Sequence, residues 1–136
     1  MSKVRIYGIV ILVAHGSLLL LHDMAHRDLQ VYLPVLKYVY AYTVMGFAPP
    51  LAIIMLWTRW QRYGAWVFLL SMFGSLVFGA YHHFVMISDD HICYAPKGAW
   101  LSVFRITAVL LALVEGVGCW FGVWALKKLT GRLALT

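Results

Sequence analysis

Four long apolar runs, broken by short polar stretches, account for nearly the whole chain: about residues 4–22, 35–57, 64–87 and 100–126. A helix needs about 20 predominantly apolar residues to cross a bilayer, and each run supplies roughly that many. The polar pieces between them are too short for long crossovers. The pattern therefore predicts an all-α integral membrane protein, a four-transmembrane-helix up-down bundle in one domain over residues 1–136. Lys3 and Arg5 ahead of the first run resemble a signal sequence. The run continues to Leu21 with no small-residue cleavage motif behind it, so it reads as an anchor that stays as the first span. His22 to Leu33 is amphipathic and Pro34 marks a break, which predicts a further turn or two of helix and then an interfacial segment. In the second run Gly46 and Pro49-Pro50 sit mid-span; the prolines remove backbone donors, so a kink with freed carbonyls is expected there.

Polar residues inside the runs fall on stripes. At 100° per residue, Gly8, His15, His22 and His26 share one face of the first span. Gly64, Ser71, Ser75 and His82 share a face of the third, and Asp89 would extend it if the helix persisted. On the fourth the stripe is Ala108, Ala112, Glu115, Cys119 and Gly122. Small residues let helices approach closely in lipid, so these faces should point into the bundle. Depth sorts the same residues again. His22 and His82 lie about 27 Å from the inner ends of their spans, and His15 and Glu115 about 16 Å. Two polar layers result.

Charge sets the orientation. Lys3, Arg5, Arg59, Arg62, Lys127, Lys128 and Arg132 gather at one end of the bundle. The other end holds only Arg27, Lys37, Lys97 and Arg105, with four of the five acids. The positive-inside rule then makes both termini cytoplasmic in a plasma (cytoplasmic) membrane, with the basic rim against anionic headgroups. The formal charge of +6 is thus explained by topology, and no nucleic-acid-binding motif accompanies it. A mean hydropathy of +0.83 exceeds what a soluble core of this size could hide, so lipid is the expected main partner. Other membrane subunits or further copies of the chain are expected beside it. Cys93 lies in an outer loop and Cys119 inside the fourth span, too far apart in depth for a disulfide.

The candidate chemistry lies in the two layers. In the outer one, His22 and His26 at i, i+4 present two imidazoles to one ion. His82 and Asp89 are the ligands expected to join them, with His83, Asp23, Asp90 and His91 as alternates or supporting groups. A mixed His/carboxylate set suits Zn, Cu(II) or non-haem Fe, without distinguishing them. Histidines and aspartates that merely face water and pair with one another are the bland alternative. In the inner layer His15 and Glu115 form a midplane polar pair, since an unpaired carboxylate there would be costly. Such a pair could relay protons to the outer site or simply fix helix register.

These residues support a small membrane protein with a metal site near its outer, non-cytoplasmic face, acting within a larger membrane redox or oxygenase assembly. A non-catalytic accessory subunit of a membrane complex is one alternative. A haem-b electron-transfer protein is another, with His15 or His22 facing His82 or His83 across the haem. A coupled transporter lined by His15 and Glu115 ranks last, for want of an inverted repeat. The H-x-x-H-H repeats of membrane di-iron hydroxylases and desaturases are absent, as are P-loop, G-x-S-x-G, H-E-x-x-H and C-x-x-C patterns.

Overall fold

The computed structural model describes residues 2–133, and all regular structure among them is helical. The side chain of Arg132, counted above in the basic rim, and residues 134–136 of the tail lie outside the described set. Four helices form: α1 (Lys3–Asp28), α2 (Val35–Met55), α3 (Gln61–Val85) and α4 (Leu101–Leu133). Each is long and apolar enough to cross a bilayer. Helix α1 runs on past His22, as the amphipathic stretch suggests, and α4 runs past residue 126 to Leu133.

What ends α1 bears on the site. Gln30 adopts φ 55°, the left-handed region, and the chain reverses there. The Val31 N–H donates to the His26 carbonyl at 2.9 Å and the Gln30 N–H to the Arg27 carbonyl at 3.2 Å. This is the Schellman arrangement, which satisfies carbonyls that the helix end would otherwise leave open. Pro34 then opens α2 with its fixed φ of −55°.

Helices α2 and α3 each depart from α-geometry at one wide turn. In α2 it covers Ala41–Phe47, just before Pro49 and Pro50, whose missing N–H groups prevent the usual ladder. In α3 it covers Tyr81–Val85, where the Met86 N–H reaches back five residues to the Tyr81 carbonyl at 2.8 Å. Met86 is then extended (ψ 119°) and the helix stops.

Helix α4 packs along both α3 and α1, and α2 closes against α3. Backbones approach closely where the small-residue stripes meet. A Cβ on Gly122 would stand 2.7 Å from the Leu69 Cβ, and one on Gly64 only 2.8 Å from the Ala52 carbonyl oxygen. Near the termini Val4, Ile53, Leu56, Phe68, Met72, Phe121 and Leu129 form one apolar core. At the other end Ala25, Leu29, Val31, Ala95 and Phe104 form a second, under the loop that joins α3 to α4. The polar layers lie between and beside these cores.

A candidate metal centre of three histidines and an aspartate

The inward stripe of α1 carries His15, His22 and His26, all buried. His83 of α3 joins the last two, and the three imidazoles place ligand atoms within 4.8 Å of one another. Their tautomers follow from what the other ring nitrogens touch. The Thr107 hydroxyl gives its proton to the Val103 carbonyl at 2.7 Å, so at 2.8 Å from His22 it must accept from Nδ1–H. His26 Nδ1–H donates to the Val31 carbonyl at 3.2 Å, and His83 Nδ1–H to the Asp90 carbonyl at 2.8 Å. Every Nδ1 proton is thus committed outward.

The three Nε2 atoms turn towards one another. His22 Nε2 lies 3.2 Å from His83 Nε2 and 3.2 Å from His26 Nε2. Three ring nitrogens that close together could hold a metal ion between them. Donors about 2.0–2.1 Å from a tetrahedral ion stand about 3.3 Å apart, close to the spacing seen. A carboxylate oxygen lies beside the three. Asp90 Oδ1 is buried without a hydrogen-bond donor and lies 3.2 Å from His26 Nε2. It is also 3.2 Å from His83 Nδ1, off the axis of the N–H bond that the Asp90 carbonyl receives. Burial pushes the Asp90 carboxyl up, but the His83 imidazole beside it, with His26 and His22 behind, outweighs this and holds it below the usual carboxylate range.

Outer contacts fix each ring in place. Phe104 is fully buried, stacks on His22 at 5.0 Å between centroids, and meets His26 and His83 edge-on at 5.2 and 5.6 Å. The α3–α4 loop is tied down by Ile92, whose N–H donates to the His83 carbonyl at 3.0 Å. The Arg105 Nε–H donates to the Ile92 carbonyl at 2.8 Å, so this arginine pins the loop instead of pairing with an acid. Metal-bound histidines generally make outer hydrogen bonds of this kind, which set tautomer and ring orientation.

Of the residues expected at the site, the structure brings His22 and His26 together with His83 and Asp90, both named as alternates. It does not bring His82 or Asp89. His82 is buried, but its Nδ1–H turns back to the Phe78 carbonyl at 2.9 Å and its ring packs on Phe78 at 4.2 Å. Phase counted at 100° per residue ceases to hold at the wide turn over Tyr81–Val85, which spends five residues where an α-turn spends four. Asp89 is exposed, because the helix that would have carried it inward ends at Val85. The loop brings Asp90 back instead. Asp23 is paired with Arg27 at 2.7 Å at the surface. His91 accepts the Cys93 N–H at 3.1 Å and packs on Tyr94, away from the cluster.

The deeper pair does meet. His15 Nε2 lies 3.3 Å from Glu115 Oε1, both buried. A void of about 20 Å³, lined by His22, Gly79, His83 and Glu115, separates this pair from the cluster; it has room for about one water. The sequence pattern does not mark Thr107 or Phe104 as site residues. A hydroxyl level with the histidines is the available signal for Thr107. Nothing local marks Phe104 or the Val31 carbonyl. No protein-family model matches the chain, and neither a curated protein nor a solved structure does.

Proposed function

We propose that the chain is a four-span integral membrane protein that holds one divalent transition-metal ion between His22, His26, His83 and Asp90. The observation that carries this is three buried imidazoles whose ligand atoms lie within 4.8 Å of one another, with the Asp90 carboxylate oxygen 3.2 Å from His26 Nε2. The donor set of three nitrogens and one oxygen suits Zn, Cu(II) or non-haem Fe. It favours a bare ion over haem b: two axial bonds of about 2.0 Å need about 4 Å between nitrogens, whereas His22 and His83 Nε2 lie 3.2 Å apart. Membrane insertion is supported by the apolar outward surface of all four helices, including exposed Val10, Leu36, Phe73 and Trp120. The basic residues near the termini favour a cytoplasmic location for that end, with the metal centre near the opposite face. Within this reading the chain serves a larger membrane redox or oxygenase assembly as a subunit, whether catalytic or accessory. Migration as a lone 15.4 kDa chain from gently solubilised native membranes would rule that part out.

The test is elemental analysis of protein purified from its native membranes. One equivalent of metal is expected in the wild type and in His82→Ala, and a large loss in His22→Ala and His83→Ala. A wild type without stoichiometric metal, or equal retention in all four proteins, refutes the centre.

A further inference from the structure

The outer halves of α1 and α2 do not close on each other. Contacts between these helices concentrate on Ala48–Met55, and towards the histidine end they leave a cavity of about 210 Å³. Its walls are apolar and aromatic: Leu19 and Leu20 from α1, Tyr38, Tyr42 and Met45 from α2, and Phe78 from α3. At one end His22, Asp23, His26, His83 and Asp90 also line it. Leu20 and Tyr42 are exposed on the outward surface, so on the membrane reading the mouth faces lipid.

The wide turn of α2 shapes the wall. Gly46 within it has no side chain, and a Cβ there would meet nothing closer than the Ala41 carbonyl oxygen at 3.8 Å. Met45 has a carbonyl without a donor in its own helix. The Ala48 N–H goes to the Thr43 carbonyl, and the next two residues are Pro49 and Pro50.

We propose that this cavity binds a one-ring phenol or quinol drawn from the bilayer, whose oxygen becomes a further ligand of the metal. The proposal rests on the metal-centre reading and names what that centre takes. Size and lining select the class. A dry cavity of about 150 Å³ accepts benzene, so this one has room for a substituted ring. Tyr38, Tyr42 and Phe78 offer ring faces and edges. Aromatic contact orients the ring, and the histidine end of the cavity takes its oxygen.

The experiment uses protein loaded with cobalt(II) in detergent micelles, with the visible bands of cobalt followed during titration with 4-methylphenol. The bands are expected to shift, toluene to suppress the shift by competition, and hexan-1-ol to give a much weaker response. Gly46→Leu fills the cavity and is expected to weaken the 4-methylphenol response at least tenfold at unchanged cobalt stoichiometry. Leu20→Trp at the mouth is a second blocking variant should the first fold poorly. Cobalt that binds but ignores 4-methylphenol overturns the proposal, as does an equal response in both variants or to hexan-1-ol. A chain that binds no cobalt overturns the metal centre itself, and this proposal with it.

Discussion

Thr107 decides which nitrogen of His22 faces the centre. Its hydroxyl is oriented by the Val103 carbonyl and therefore accepts the His22 Nδ1 proton. Thr107→Val keeps the volume and removes that acceptor, so the hydroxyl no longer fixes the tautomer. Metal affinity should fall 10–100-fold in that variant, and Thr107→Ser should restore most of it; competition with a chromophoric chelator measures both. An affinity unchanged in Thr107→Val would show that the hydrogen bond does not hold the ring. How much of the site can be read from sequence also turns on single residues. His22 and His26 are legible because they lie on an uninterrupted α-helix, where i, i+4 means one face. His83 and Asp90 are legible only as members of their clusters. One sits in a turn with a different period and the other beyond the helix end, so choosing them over His82 and Asp89 needs the backbone itself.

The same division holds among the elements. Span number, order and approximate limits follow from apolar length, which is a bulk property. The mid-span disturbance in α2 follows from Pro49-Pro50, although its form, a wide turn over Ala41–Phe47, does not. The turn at Tyr81–Val85 has no comparable marker. The end of α1 is a third case: the reversal needs a left-handed residue, and Gln30 fills a position where glycine is usual. Gln30→Gly should stabilise the protein by about 0.5–1 kcal/mol, the relief of left-handed strain exceeding the added freedom of the unfolded chain. A denaturant titration followed by circular dichroism checks this. A destabilised Gln30→Gly would mean that the Gln30 side chain contributes more than its backbone strain costs. The same reversal delivers the Val31 carbonyl to His26, so helix ending and ligand orientation are one structural event.

At the scale of the molecule the two ends differ in kind. One is basic and closed by an apolar core, and the other carries the carboxylates, the histidines and a loop. Their sidedness can be tested with the cysteines, since Cys93 is exposed in the loop whereas Cys119 lies within α4. A membrane-impermeant maleimide added to intact cells or right-side-out vesicles should label Cys93 and not Cys119. Labelling of Cys93 only after the membrane is opened would invert the topology. The loop itself has a kinetic consequence. On the proposed topology it covers the aqueous side of the three histidines and Asp90, and it is fastened through Ile92 to both His83 and Arg105. A hydrophilic chelator cannot arrive through lipid, so it must wait for this cover to lift. Stripping of the ion should therefore proceed at a rate that stops rising with chelator concentration, and Arg105→Ala should raise that plateau by loosening the fastening. The lifetime of the bound ion would then be a property of one arginine that never touches it.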